Sequence, residues 1–595
     1  MGGRRSRTAP ARRAIIIFIF LFFCSYEGQI DFTHPHITQH TAQPFELATM
    51  PRPDVLPNIL VLLADNLAYD DVGAFRSGAG EIDKPSRTPR LDSFAESSRK
   101  FLNWNSPAVL CSASRAALLT GRYPVRTGVY PRVFEPDAAF GLLPNETTLA
   151  EYLKDEGYAT KIVGKWHLGQ RPDFLPTEQG FDEWFGIPYH MSGGSIDDHV
   201  CGKDKTGKMW LPLFDGKDIV EQPVRLDELA PRYVDESISF IEKQEAAYKP
   251  WFLYLAFSHV HQLCAPRNSE CQWASTHFSR DKKGYNATFG DAVEEMDWIA
   301  GEVLDSLHRL GAEDNTLVVF TSDNGPWVAE GACAGSKGKF EGRWLAENVD
   351  QNCTACPSEY SPSPLPGQPR RCVYPGTKYQ VEGVHCGQDT GLGSAWEANV
   401  IMPAIARWPA GGVEPGTQTL DLVSTLDLVP TVLSLLGTDI LLNIDGVDVS
   451  HSLLGTKDRS FSQGDDRAIF FWRDGFRAGP LPQPFGRFDV VAAKIGKHKL
   501  WFYTKSSHYN GDEEVFHDPP LIFNVLDDPG EAHPLDPEGN ADLVERAKVL
   551  VDKHKRSIDW SFPLTLARDP KYLPCSSEDT NCRIGSSEGT SIIEQ

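Results

Sequence analysis

Apolar residues in this chain fall into short, unbroken blocks set between polar stretches that carry Gly and Pro. The runs Asn58 to Ala64, Trp251 to Ser258 and Thr316 to Ser322 show no regular apolar/polar alternation. Such runs suit strands buried on both faces, as in a parallel sheet. Each ends in polar residues. Asp65-Asn66 follows the first, with Asp70 and Asp71 close behind; His259-Val260-His261 follows the second; Asp323-Asn324-Gly325-Pro326 follows the third. Open α/β sheets bind ligands beyond the carboxyl ends of their strands, so these ends are candidate site positions. A solvated loop with an Asp cap is the plainer reading of an isolated Asp-Asn pair.

Helical spacing supplies the intervening layer. Val293, Met296, Ile299, Ala300, Val303, Leu307 and Leu310 share one helical face, which predicts a core-packing helix before the Asp323 strand and a βαβ unit. Leu149 to Gly157 reads as a helix leading into Thr160 to Gly169, where an extended backbone would point Lys165 and His167 the same way. Ala116 to Thr120 favours helix. That places Cys111 at or just before a helix N-terminus, where exposed N–H groups favour negative charge, and Arg115 can fold back toward it. Asp427-Leu428 begins a further helix.

From Gly331 to about Gly391 the pattern breaks down. Cys333, Cys353, Cys356, Cys372 and Cys386 stand there among Pro357, Pro362, Pro364, Pro366 and Pro369. The stretch reads as a disulfide-stapled insertion over the site mouth, too rich in Pro for a sheet. Farther on, Val490 to Ala493, Lys499 to Tyr503 and Leu521 to Val525 predict a small antiparallel sheet before a terminal helix. The domain reading is 1–28 targeting segment, 56–455 main domain containing the 331–391 insertion, and 456–595 small C-terminal domain and tail.

Composition narrows this picture in two ways. A formal net charge of −23 over 595 residues argues against nucleic acid as a partner, because nothing collects phosphates. An anionic substrate must therefore meet a local basic pocket. The N-terminus carries Arg4, Arg5, Arg7, Arg12 and Arg13 ahead of the apolar Ala14 to Cys24, the layout of a signal peptide; an uncleaved signal anchor is the alternative. Sequons at Asn145, Asn286 and Asn352 agree with a secretory route, lysosomal or extracellular. With Cys24 in the signal and Cys111 set apart, ten of the 12 cysteines remain for bridges of open connectivity.

The candidate chemistry gathers at the strand ends. Carboxylate and amide oxygens of Asp65, Asn66, Asp323 and Asn324 suit Ca²⁺ or Mg²⁺, and no thiolate pairs point to zinc. A cation and an imidazole converging at Lys165 and His167 can hold an oxyanion and move a proton. Cys111 alone would read as a buried thiol or half of a disulfide.

Its surroundings change that reading. Cys111-Ser112-Ala113-Ser114-Arg115, running on to Ala116-Ala117-Leu118-Leu119-Thr120-Gly121-Arg122, resembles the sulfatase signature Cys-x-Pro/Ala-Ser-Arg, then Ala-x-Leu-x-Thr-Gly-Arg. Gly164-Lys165-Trp166-His167-Leu168-Gly169 resembles the second signature of that family. Gly180 to His190 resembles a family loop ending at a sulfate-contacting polar residue, and Gly393 to Asn399 resumes the likeness after the insertion. The resemblance spans roughly Asn58 to Trp560, on the arylsulfatase A and galactosamine-6-sulfatase branch.

The resemblance implies an alkaline-phosphatase-like α/β fold: a large mixed, mostly parallel sheet flanked by helices, with a smaller C-terminal antiparallel sheet. It implies hydrolysis of sulfate monoesters, on sulfated sugars or glycolipids. Cys111 would be converted by a formylglycine-generating enzyme to formylglycine, whose hydrate attacks sulfur. One Ca²⁺ would bind at Asp65, Asn66, position 111, Asp323 and Asn324. Lys165 and Arg115 would stabilise charge, His261 would protonate the leaving alcohol, His167 would take the proton of the second hydroxyl, and His190 would contact sulfate. His259 is read as structural, and a homo-oligomer is compatible with all of this.

Two residues depart from the family pattern. Asn66 stands where a second Asp is usual, which removes one charge from the metal site. Leu392 stands where a sulfate-binding lysine is usual, and Lys337, Lys339 and Lys378 of the insertion are candidates to replace it. Two rivals follow: a silent sulfatase-like binding protein, and a phosphatase or phosphodiesterase of the same fold.

Overall fold

The computed structural model describes residues 52–574 except 54, 77–86, 191–194, 197–198, 201–210, 262–263, 268–269, 273–286, 329–333, 350–353, 357–360, 363–370, 374–379, 383, 439–442, 457–466, 473–488 and 508–513. The targeting segment, the sequons at Asn286 and Asn352, and Lys378 lie outside the described residues. Asn145 is exposed at a turn. No helix among the described residues is long and apolar enough to cross a membrane.

The predicted apolar runs form the middle of an 11-stranded sheet. Asn58–Ala64 lies between Thr316–Ser322 and Trp251–Ala256, parallel to both. Ala159–Gly164 and Glu183–Gly186 extend the parallel part on one side. Ile401–Arg407 and Arg99–Asn105 extend the other side, where the first pairings turn antiparallel. The sheet is therefore mixed and mostly parallel at its centre.

Burial on both faces explains the unbroken apolar runs. Leu60, Leu62 and Ala64 point into one core with Met296, Ile299 and Val303 of the helix Ala287–Leu310 and with Tyr233 of Leu229–Ala246. Ile59, Val61 and Leu63 point into the other, with Leu118 and Leu119 of Cys111–Thr120 and with Val429 and Leu433 of Leu428–Leu435. Solvation of either face would have imposed alternation. Truncating a core leucine such as Leu62 to Ala carries a cost of about 2–5 kcal/mol.

The second sheet runs Ile469–Trp472, Val490–Ile495, His498–Thr504, Val515–Asn524, all antiparallel. Alternate residues serve two partners. Phe470, Ala493 and Leu500 pack on the helix Ala541–Ser557, while Phe471, Ala492 and Trp501 pack on Val109, Leu110, Leu392 and Trp396. The C-terminal sheet thus braces the loop that leads into Cys111.

The insertion differs from its sequence reading. Among its described residues, short strands do form: Thr354–Ala355 pairs with Val384–His385, and Ser361–Pro362, Arg371–Val373 and Gln380–Glu382 make a three-stranded ribbon. Pro is tolerated because these strands are two or three residues long and lie at edges. A disulfide between Cys356 and Cys372 ties the two groups together, and Cys386 is also disulfide-bonded.

Candidate active site

The five parallel strands deliver candidate residues at their carboxyl ends. The backbone ladder continues one step past the strands: Asp323 N–H donates to Ala64 O (3.1 Å), Asp65 N–H to His259 O (2.8 Å) and Lys165 N–H to Ala256 O (2.9 Å). Gly164 allows this crowding. Its φ is +110°, and a Cβ there would lie 1.8 Å from the carbonyl oxygen of Ala256.

Cys111 is the first residue of its helix, with Leu110 as the cap. Its Sγ lies 3.6 Å from Asp65 Oδ1 and 3.6 Å from Asn66 Oδ1. Ligand atoms of Asp65, Cys111 and Asp323 all fall within 4.8 Å of one another. Asn324 donates through Nδ2 to Asn66 Oδ1 (2.5 Å), and its own Oδ1 is buried without a partner. An orphaned amide oxygen beside two carboxylates fits a hard cation.

Two cations complete the cluster. Lys165 Nζ donates to Asp65 Oδ2 (2.5 Å). Arg115 donates through Nε to Asp323 Oδ2 (3.0 Å) and through Nη1 to the carbonyl of Lys165 (2.8 Å). All four side chains are fully buried. Burial works to raise the Asp65 pKa, but Lys165, Arg115 and His261 overcome it and hold the carboxyl below its ordinary value. For Asp323, burial and then the Asp65 charge win over Arg115 and Lys165, pushing it up to about 6. Burial also pushes the Cys111 thiol well up, with Asp323 and Asp65 adding to it against Lys165 and Arg115.

The histidines form the other wall. His167 has φ +61° and lies beyond the strand, so the strand alternation predicted for Lys165 and His167 does not set their geometry. A turn does: His167 N–H donates to Pro188 O, and its Nε2 meets Phe134 O at 3.2 Å. Burial, then Lys165, His190, Arg115 and His261, hold its pKa well below the usual imidazole value. His190 lies 6.0 Å from His167 and 6.2 Å from His261 between ring centroids, parallel to the latter within 9°. His259 turns away and pairs with Glu295 at 3.0 Å.

Several predicted neighbours are used elsewhere. Asp71 accepts from the N–H groups of Ala68 and Ser336, which anchors the insertion rather than a metal. Leu392 is 5% exposed among Val109, Leu110 and Trp396. Lys337 donates to Glu341 O, Gln388 O and Thr390 Oγ1, and Lys339 lies over the rings of Tyr69 and Phe340. Lys378, the third candidate, lies outside the described residues.

Comparison with known proteins agrees with this geometry. A profile described as Sulfatase matches residues 57–438, and one described as C-terminal region of aryl-sulfatase matches residues 465–584. The chain belongs to the sulfatase family. Arylsulfatase G of Canis lupus familiaris is 33% identical over 547 residues, covering 87% of this chain and 89% of that protein. Arylsulfatase A of Bos taurus is 32% identical, covering 80% and 83%. N-acetylgalactosamine-6-sulfatase of Canis lupus familiaris is 31% identical, covering 84% and 86%. Among solved structures, PsFucS1 sulfatase from Pseudoalteromonas sp. superposes with a TM-score of 0.61 at 24% identity, covering 86% and 92%, which supports the fold. This sulfatase is accordingly a sulfuric ester hydrolase.

Sequence reasoning missed residues that carry no motif. Glu135 approaches His190 (3.6 Å) from a loop with no periodicity. Trp327, 5.6 Å from His261, directly follows Asp323-Asn324-Gly325-Pro326, and that adjacency was a usable signal.

Proposed function

We propose that this sulfatase hydrolyses sulfate monoesters of sugars or glycolipids at a formylglycine made from Cys111, with one Ca²⁺ held by Asp65, Asn66, Asp323 and Asn324. The observation that carries the reading is the unpartnered Asn324 Oδ1 beside two buried carboxylates and the Cys111 side chain. The elevated thiol pKa supports it further. A buried neutral thiol is a poor nucleophile, so the position is of little use as plain cysteine.

When bound, the cation withdraws charge from a sulfate oxygen, and the formylglycine hydrate supplies the attacking hydroxyl. The protein's own groups do the rest. Lys165 and Arg115 sit where negative charge develops and are already oriented by Asp65 and Asp323, so little reorganisation is needed. His167, kept neutral, is a proton acceptor beside position 111. His261 donates a proton to the leaving alcohol. His190 contacts the sulfate from the far wall.

The overall fold is shared with enzymes of other chemistry. A phosphonate monoester hydrolase of Agrobacterium radiobacter superposes with a TM-score of 0.50 at 17% identity. The phosphatase reading gains no support here, since the described residues gather metal-ligating side chains in one cluster. The route is secretory and the maturation partner a formylglycine-generating enzyme.

The test is the mass of the peptide containing position 111 from protein secreted by cells that mature other sulfatases. An aldehyde there, with turnover of 4-nitrophenyl sulfate, is the expected result. A quantitatively unmodified thiol together with full turnover would sink the mechanism.

A further inference from the structure

The residue after Cys111 has so far had no part in the site. The sulfatase signature leaves its position open, as the x of Cys-x-Pro/Ala-Ser-Arg, yet Ser112 is fully buried and its hydroxyl is engaged on both sides. It donates to His167 O (2.8 Å) and accepts from Phe134 N–H (3.1 Å). These directions are fixed, because a carbonyl only accepts and an amide N–H only donates.

Both bonds act on His167. Its backbone is left-handed, at φ +61°, a conformation that an L residue other than Gly keeps only where its surroundings hold it. They hold it at both ends: His167 N–H donates to Pro188 O (3.0 Å), and its carbonyl takes the Ser112 hydroxyl. The second bond grips Phe134, whose own carbonyl meets His167 Nε2 at 3.2 Å. An oxygen that can only accept requires the proton to be on Nε2. Burial, then Lys165, His190, Arg115 and His261, keep the ring neutral, so it carries one proton and Nδ1 holds a lone pair. That Nδ1 is buried without a partner.

We infer that Ser112 is a positioning residue that, through the backbones of Phe134 and His167, holds the His167 ring as the Nε2–H tautomer and so makes Nδ1 the atom that takes a proton in turnover. The inference rests on the sulfate-ester reading above and adds to it the accepting atom and the residue that selects it. In that reaction Nδ1 accepts the proton of the second hydroxyl at position 111. The electron pair of that O–H bond forms the carbonyl, the bond from the same carbon to the sulfate oxygen breaks, and sulfate leaves with the pair of the broken bond. A ring protonated on Nδ1 has no lone pair there to offer. The helix that begins at Cys111 carries position 111 and Ser112 side by side, so one turn of backbone sets the reacting carbon and the hold on its base together.

The experiment compares wild type, Ser112→Ala and Ser112→Thr in two readouts. Ring nitrogen resonances are read by NMR near neutral pH on ¹⁵N-histidine protein, with those of His167 assigned by their loss in His167→Gln. Values of kcat and KM are measured on 4-nitrophenyl sulfate and scaled to the formylglycine content of position 111 found by mass. The wild-type ring should be protonated at Nε2 alone. In Ser112→Ala the two tautomers should mix, and kcat should fall by about 10–100-fold, the loss that follows from a misplaced catalytic group. KM should fall with it and leave kcat/KM unchanged, because the proton transfer comes after the phenol has left. A wild-type ring protonated at Nδ1 overturns the inference, as does an alanine protein that keeps the wild-type ring. A mixed ring with kcat unchanged, or with kcat/KM falling as far as kcat, overturns the role of Nδ1 in that step. Ser112→Thr retains the hydroxyl and should keep the wild-type ring; a mixed ring there overturns the assignment to the hydroxyl, and this arm stands even if the alanine protein is not secreted. Absence of wild-type turnover would count against the sulfate-ester reading instead, and the ring nitrogens would still decide the tautomer.

Discussion

Glu397 offers a quantitative test of how the two sheets hold the site together. It is fully buried, and each carboxylate oxygen takes one lysine: Oε2 meets Lys494 at 2.7 Å and Oε1 meets Lys499 at 2.9 Å. Both lysines come from the C-terminal sheet, whereas Glu397 belongs to the segment that follows Leu392. That segment grips the loop before Cys111, since Gly393 N–H and Asn399 Nδ2 both donate to Val109 O. Glu397→Gln removes one charge and leaves two buried ammonium groups facing an amide.

Two routes give the magnitude. Removing one member of a buried ion pair costs about 3–5 kcal/mol. Independently, burial works to raise the Glu397 pKa, yet Lys494 and Lys499 bring it down to about 2 from an ordinary 4.5. A gap of that size is worth about 3 kcal/mol. With an unfolding entropy of about 2.1 cal/mol/K per residue, a unit of roughly 500 residues should lose about 3–5 °C in Tm. The sign with pH follows from the depressed value. The carboxylate's contribution is complete above pH 4.5 and fades as pH falls toward 2. Differential scanning calorimetry of both proteins at pH 7 and at pH 3 is the assay. A Tm loss under 1 °C at pH 7, or one that does not shrink at pH 3, would refute the argument.

Three further outcomes are expected. His554 lies in a cage of Phe470, Tyr123 and Trp472, where burial and then Arg126 hold its pKa down to about 3; the unfolded chain therefore gains a proton below pH 6.5, and His554→Phe should spare about 2–3 kcal/mol at pH 4.5, read as a smaller acid-induced drop in Tm. Asn66→Asp restores a carboxylate beside Asn324 and should tighten Ca²⁺ binding several-fold, with isothermal titration showing equal or looser binding if Asn66 is not a ligand. His261→Ala should slow hydrolysis of a sugar sulfate by about 10²–10⁴ and that of 4-nitrophenyl sulfate far less, because a nitrophenolate leaves without a proton; equal losses would reduce His261 to a sulfate contact.

Much of the fold was legible because burial on both faces of the central strands leaves no room for polar residues. The runs ending at Ala64, Ala256 and Ser322 therefore announced themselves, and the polar residues just past them had to stand at the sheet's edge. What sequence could not give were contacts set by turns. Lys165 and His167 converge through a left-handed residue and a carbonyl from Phe134, a geometry with no period to read. Glu135 shows the same difficulty, as a lone acid in a loop whose partner is 55 positions away. The Lys494–Glu397–Lys499 cluster was equally hidden, because lysines on strands read as solvated until the sheet is folded onto its neighbour. Short strands in the insertion were missed for a related reason: their pairing accompanies the Cys356–Cys372 bridge and shows no local propensity.

The acidic balance of the chain and its anionic substrate are reconciled at the site itself. A net charge of −23 would repel a sulfate ester at long range, but exposed charges are screened within about 8 Å at physiological ionic strength. What a substrate meets is the buried cluster. There, Lys165 and Arg115 offset Asp65 and Asp323, so the four side chains alone are close to neutral. A divalent cation would add two positive charges to this dry pocket, and Asn66, unlike an aspartate, would offset neither of them. Were a cation bound there, the substitution that weakened its hold would also strengthen the field felt by sulfate. Leu392, sealed among Val109, Leu110 and Trp396, adds no charge of its own. Taken together, the four buried side chains nearly cancel, so a cation bound beside them would set the field that sulfate meets.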